Sequence, residues 1–307
     1  TRTDGTLWGW GRNQARVIRP PSADTQYSPR QIPGTNWSKV AFAGINVAAI
    51  RTDGTLWAWG QNTKGQLGLG VASPTSYSSP KQVPGTTWDG VYIYTDSFLA
   101  TKTDGSLWAW GNAANGRLGV NDNVQRSSPT QIPGTDWGKQ LAGGGSRAGA
   151  IKADGSLMVW GYNANGDLGV NNRTAYSSPI QVPGTWNSIA VGGEKMIATK
   201  TDGTLWGWGN NYYGSLGQNV STSPSNNYSS PVQIPGTTWA SVGSVSYPSA
   251  IARKTDGTIW GWGVNSSGQL GQNSLVNYSS PVQVPGTDYL DVKIIGDGKA
   301  IMALRSV

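Results

Sequence analysis

The chain has 307 residues, with Gly 44, Pro 17, Trp 16 and Tyr 12 but only Phe 2, Met 3 and 13% charged residues, at a net charge of +7. That length suits one large all-β domain with a sizeable core, and sixteen tryptophans need burial, which excludes a disordered acidic or basic chain. Cys 0 and His 0 exclude disulfides, thiolate nucleophiles, Ser-His-Asp and Cys-His hydrolases, and His- or Cys-ligated metals.

The chain opens on Thr1-Arg2-Thr3-Asp4-Gly5, which reads as neither a translation start nor a signal peptide, so a processed product or part of a longer polypeptide is expected. The opening already holds the first copy of a repeat. The pattern [RK]-x-D-G-[TS]-[LI]-W-x-W-G places its aspartate at Asp4, Asp53, Asp104, Asp154, Asp202 and Asp256, and only Met158 breaks the tryptophan pair. A second signature, V/I-P-G-T, recurs at Pro33, Pro84, Pro133, Pro183, Pro235 and Pro285, followed by Trp37, Trp88, Trp137, Trp186, Trp239 and Tyr289. These positions account for every tryptophan in the chain.

Four short strands fit each period. In the second repeat they are A at about 39–43, B at about 47–51, C at 55–60 and D at about 81–83. The B–C link is an Asp53-Gly54 turn of the kind that joins antiparallel strands tightly, and the D–A link turns on Pro84-Gly85. Alternate residues of Leu56-Trp57-Ala58-Trp59 face opposite ways, yet both faces carry apolar groups, as a sheet buried between neighbours requires. Arg305 lies in the same phase as Arg2, 303 residues and six periods on. The expected fold is therefore all-β: a six-bladed β-propeller of four-stranded antiparallel blades, a single domain over residues 1–307, closed by N- and C-terminal segments that share one blade.

The block W-G-x-N-x-x-G-Q-L-G at residues 59–68 and 262–271, with G-x-L-G echoes at Gly116, Gly166 and Gly214, resembles the regulator-of-chromosome-condensation repeat. The first repeat departs from it, because residues 12–20 hold no G-x-L-G and a rebuilt C–D loop is expected. The resemblance implies a propeller used mainly as a binding scaffold. Similar repeats occur in a nuclear exchange factor for a small GTPase that contacts nucleosomes, in plant photoreceptor and signalling propellers, and in bacterial β-lactamase inhibitors.

The A–B and C–D links emerge on one face and diverge from repeat to repeat, whereas the D-G and P-G-T turns of the other face hardly change. A rigid frame with variable loops suits recognition, and Tyr94, Arg147, Tyr213 and Tyr247 are the candidate contact groups, since Tyr and Arg combine area with hydrogen bonding. A protein or larger assembly is the expected partner, with a surface glycan or a purely structural role as alternatives and an intracellular exchange factor set behind them. The Lys or Arg before each D-G is read as a solvated position giving no specific nucleic-acid recognition. With 15 Asp and a single Glu, no acid/base pair stands out, so no enzyme activity, cofactor or metal is expected. No apolar run approaches 18 residues, so no membrane insertion is expected, and the composition favours an extracellular, cell-surface or virion setting.

Overall fold

The structure is a computed structural model that describes the chain except residues 12, 14–16, 19–24, 73–75, 221–226, 247–248, 296–299 and 306–307. Among the described residues, every regular element is a β-strand apart from two short 3-10 turns. The chain divides into two compact units, residues 1–139 and 140–307.

The first unit holds three antiparallel sheets. One pairs β1 (Leu7–Gly11) with β2 (Gln26–Ile32); the next runs in order through β3 (Trp37–Ala43), β4 (Asn46–Arg51), β5 (Leu56–Gly60) and β6 (Tyr77–Gln82); the third through β7 (Trp88–Tyr94), β8 (Ser97–Lys102), β9 (Leu107–Gly111) and β10 (Arg126–Ile132). The second unit, to which most of β11 belongs, repeats the arrangement. Its first sheet orders β11 (Trp137–Gly144), β12 (Arg147–Lys152), β13 (Leu157–Gly161) and β14 (Tyr176–Val182). The second comprises β15 (Trp186–Val191), β16 (Lys195–Lys200), β17 (Leu205–Gly209) and β18 (Tyr228–Ile234), and the third β19 (Trp239–Ser246), β20 (Ser249–Lys254), β21 (Ile259–Gly263) and β22 (Tyr278–Gln283). β23 (Tyr289–Ile295) and β24 (Ala300–Arg305) form a last sheet of two. The strands thus follow the expected A-B-C-D order. β1–β2 is a C–D pair and β23–β24 an A–B pair, recorded as separate sheets, so their union in one blade rests on the sequence phase of Arg2 and Arg305 alone.

The D-G turns form for a visible reason. Asp53 Oδ1 accepts the Thr55 amide at 2.9 Å and its hydroxyl at 2.7 Å, and Thr55 Oγ1 accepts Trp57 Nε1–H at 2.9 Å. The same relay runs from Asp104 through Ser106 to Trp108, and from Asp202 through Thr204 to Trp206. Gly54 sits at φ +77°, where a side chain would be strained. Its carbonyl accepts the amide of Trp88, the first residue of the next repeat's strand A, at 3.0 Å, and Gly203 does the same for Trp239 at 2.9 Å. This face is uniform because it is a seam between successive sheets.

Strand D differs from expectation: it begins at Tyr77 and ends at Gln82, taking in Pro80. It is an edge strand, where the missing N–H of proline removes no ladder bond, and the register against β5 shifts between Ala58 and Gly60 in a bulge. The second tryptophan anchors the core in five of the six strands C, with Trp59, Trp110, Trp160, Trp208 and Trp262 all buried, whereas Trp10 of β1 is exposed. Trp37 packs on Trp57 and Trp59 at ring separations of 6.3 and 6.2 Å, and Trp239 on Trp260 and Trp262 at 6.2 and 6.3 Å.

Candidate functional site: the C–D loop face

Five of the C–D loops are built on one buried asparagine; the loop between β9 and β10 carries Ala113 at that position. In the first unit Asn62 Oδ1 accepts the Leu67 amide at 3.1 Å, while its Nδ2 donates to the Val71 carbonyl at 2.9 Å. The second unit repeats this with Asn163 and Leu168, Asn211 and Leu216, and Asn265 and Leu270, at 2.9, 2.9 and 2.8 Å. One side chain so satisfies both ends of a loop that has no sheet to pair with. The leucines are buried, and the loop base becomes part of the core.

The same base holds the next repeat. Trp110 Nε1 donates to the Gln66 carbonyl at 3.0 Å and Trp262 Nε1 to that of Ser215 at 3.0 Å. Gly68 lies at φ +70°, and a Cβ there would stand 2.8 Å from Trp110 Nε1; one on Gly169 would stand 2.6 Å from Trp208 Nε1. The Gly70 amide bonds the Ser127 carbonyl at 2.7 Å, that of Asn171 bonds Ser229 at 2.7 Å, and that of Asn219 bonds Ser279 at 2.8 Å. G-x-L-G is therefore a latch between neighbouring sheets.

The first repeat keeps the latch without the motif. Asn13, fully buried, accepts the Ile18 amide at 2.8 Å, and Trp59 Nε1 donates to the Val17 carbonyl at 2.8 Å. Val17-Ile18 stands where the other loops carry x-Leu, so the expected rebuilding leaves this base intact. The spacing from Asn13 to Ile18, the same five residues as from Asn62 to Leu67, is the signal that reveals it.

The four candidate contact residues fare differently. Tyr94 is 2% exposed and its hydroxyl donates to the Arg117 carbonyl at 2.5 Å, so it braces its own C–D loop, and burial raises its phenol pKa well above the usual range. Arg147 is 3% exposed; it pairs with buried Asp167 at 3.3 Å and donates to the Gly193 carbonyl. Both are corrected from contact groups to internal braces: each occupies the end of an A–B hairpin that folds inward under the C–D loop. Tyr247 lies outside the described residues.

Tyr213 is 46% exposed, beside Tyr212 at 37% with the rings 6.1 Å apart. The two open a 3-10 turn, Tyr212–Gly214, that touches β21 and β22 of the next repeat. Tyr213 has φ +57°, a left-handed conformation that costs an L-residue about 1–2 kcal/mol. The turn is nonetheless fixed, since Asn210 Oδ1 accepts the Tyr212 amide at 2.7 Å and Gly214 approaches Ser279 of the next sheet too closely for any Cβ.

Below this tip lies a buried charged cluster. Burial pushes the Asp167 carboxyl up to about 6 against the opposing pull of Arg147. Burial likewise pulls the Lys195 ammonium down to about 7, opposed by Glu194, whose carboxylate accepts Asn210 Nδ2–H at 2.6 Å. The single Glu of the chain is thus held at the A–B turn.

On the opposite face, the residue before D-G is not a freely solvated cation. The Arg51 guanidinium lies 4.7 Å from the Trp37 ring and 4.3 Å from that of Trp57; Lys102 lies 4.8 and 4.5 Å from Trp88 and Trp108. In the second unit Lys254 sits 5.0 and 4.4 Å from Trp239 and Trp260. Each of these three cations is held by the ring quadrupoles between the indole that opens strand A and the first indole of strand C.

The model of the regulator of chromosome condensation (RCC1) repeat matches residues 53–88, 104–151, 202–246 and 256–295, and the chain belongs to this family. Its fold is that of the RCC1 β-propellers. It superposes on human WBSCR16 with a TM-score of 0.81 at 21% identity, covering 98% of this chain and 82% of that one. It also matches yeast RCC1 (Prp20) bound to Kap60, with a TM-score of 0.79 at 19% identity over 97% of this chain and 75% of that one. A further structure of Prp20p from Saccharomyces cerevisiae, described with its binding properties to Gsp1p and histones, gives 0.77 at 19% identity over 94% and 75%. No curated protein matches the sequence. These structural neighbours are intracellular RCC1-family proteins, which overturns the extracellular, cell-surface or virion setting expected from composition.

Proposed function

We propose that this chain is a non-enzymatic binding scaffold whose partner is a protein, met on the C–D loop face at Tyr212 and Tyr213. The observation that carries the reading is the exposed tyrosine pair on a turn whose base is locked, with Tyr213 kept at a positive φ that a smaller residue fills more easily. Tyrosine gives a large contact area for little ordering entropy, and a preorganised turn lowers the cost of binding further. Kap60, Gsp1p and histones, with which the Prp20 structures are described, are proteins, which supports the same class of partner here.

The test is quantitative affinity capture from the source cells with the intact chain, the double variant Tyr212→Ser/Tyr213→Ser, and a control substituted at Thr52 and Thr103 beside the D-G turns. Loss of specific proteins with the tyrosine variant alone is the expected outcome. Capture that survives it but fails in the control places the interface on the opposite face and defeats the proposal.

A further inference from the structure

A cleft of about 390 Å³ opens on the outer edge of the second unit, away from the loop tips. It lies between β14 and the next sheet's β17 and β18, and its walls are Val170, Ile180, Trp206, Pro183 and Pro231, with Lys200 at one end. The residue after G-x-L-G distinguishes this groove from those of the next two repeats; it is apolar here, as it is at Leu69 and Val120 of the first unit. In the two following repeats the residue after G-x-L-G is a glutamine that bridges this groove: Gln218 Nε2 donates to the Gln233 carbonyl at 2.9 Å, and Gln272 Nε2 to the Gln283 carbonyl at 2.9 Å. Val170 takes that position here and has no amide to give, so the carbonyl of Gln181, counterpart of those acceptors, receives no such bridge.

The chemistry left in the cleft is specific. Val170, Ile180 and Trp206 offer an apolar bed, and Pro183 and Pro231 complete the apolar lining. Lys200 holds its ammonium 4.1 Å from the Trp206 ring centre and 5.3 Å from that of Trp186. The nearest acid in sequence, Asp202, spends its Oδ1 on the Thr204 amide at 2.9 Å and hydroxyl at 2.6 Å, which ties it to its own turn. A mostly apolar pocket with one cation and one main-chain acceptor is the usual composition of a small-molecule site.

We infer that this cleft binds a small aromatic carboxylate, with the ring between Val170, Ile180 and Trp206, the carboxylate on Lys200, and a ring N–H donor on the Gln181 carbonyl. This goes beyond the protein-binding reading and uses none of its residues.

The experiment titrates the full ¹⁵N-labelled chain with indole-3-acetate and, separately, with its neutral amide, following the Trp206 indole signal assigned by its loss in Trp206→Phe. The acid is expected to shift that signal saturably and at least tenfold more tightly than the amide. Val170→Gln, which restores the bridge seen at Gln218, is expected to weaken the acid at least tenfold while the other indole signals keep their positions. Lys200→Met is expected to remove the preference of acid over amide, an outcome readable even where Val170→Gln perturbs the fold. No saturable shift at Trp206, equal affinity for acid and amide in the intact chain, or unchanged binding in a folded Val170→Gln overturns the inference.

Discussion

Two turns of this protein share a backbone and differ in what they present. Ala114–Gly116 in the first unit and Tyr212–Gly214 in the second are both 3-10 turns, with the middle residue left-handed, Asn115 at φ +61° and Tyr213 at φ +57°, and a buried glycine following at Gly116 and Gly214. In the first the left-handed site carries asparagine, which tolerates that conformation, and the tip is small and polar. In the second it carries an exposed aromatic beside another. The comparison separates a frame, shared by the two turns, from a tip that varies upon it: Asn112 and Asn210 accept the amides of Ala114 and Tyr212, Leu118 and Leu216 are buried, and the residues between them are free to serve recognition.

The frame is where substitutions cost most. Trp110→Ala removes the indole that the preceding loop holds through Gln66, and should destabilise the chain by about 3–5 kcal/mol in denaturant unfolding. Were it to cost no more than a surface change, the latch would be incidental. Gly68→Ala combines a left-handed φ with a Cβ 2.8 Å from Trp110 Nε1, for an expected loss of about 2–4 kcal/mol. Alanine at Gly44, which has a positive φ but nothing within 4 Å, should cost only the backbone part, and the difference between the two sharpens how much of the latch is packing.

Beneath the tyrosine tip the buried charges predict a pH dependence that the equivalent site of the Asn115 repeat lacks, since Ser97 there takes the place of Lys195. Because folding lowers the Lys195 pKa from 10.5 to about 7, the unfolded chain holds a proton that the folded one releases between those values. Stability should therefore rise with pH from about 7 toward 10, and Lys195→Met should flatten that slope by up to one proton. The opposite sign applies to the hairpin aspartates: Asp53, Asp104 and Asp202 are lowered by bonds from Thr55, Ser106 and Thr204, so their contribution is present above the ordinary carboxylate range and is lost in acid. A wild-type slope unchanged by Lys195→Met would place the titration elsewhere.

Much of the frame was legible in the sequence. Asp53-Gly54 and its copies announce hairpins through turn chemistry, and the two-sided apolar pattern of Leu56-Trp57-Ala58-Trp59 announces a sheet covered on both faces. Strand D runs from Tyr77 rather than from about residue 81, since at the sheet edge Pro80 removes no ladder bond. The site was less legible, since exposure is decided by contacts distant in sequence. Tyr94 is drawn inward by the carbonyl of Arg117, 23 residues on, and Arg147 by Asp167 and by Gly193, 46 residues on. No local cue in either hairpin distinguishes them from Tyr213. The asparagine placed five residues before the Leu or Ile stands in five of the six repeats, Ala113 being the exception, and at Asn13 it is hidden by the absence of G-x-L-G.

The most direct test of the frame-and-tip account is to graft one turn's tip onto the other, by Tyr212→Ala with Tyr213→Asn, and to measure unfolding stability and partner capture on the same preparation. Relief of the left-handed tyrosine predicts stability unchanged or higher by up to about 1 kcal/mol, with the partner lost. A marked fall in stability would show that the tyrosines belong to the frame, and capture retained by a stable graft would show that the tip is not the binding site.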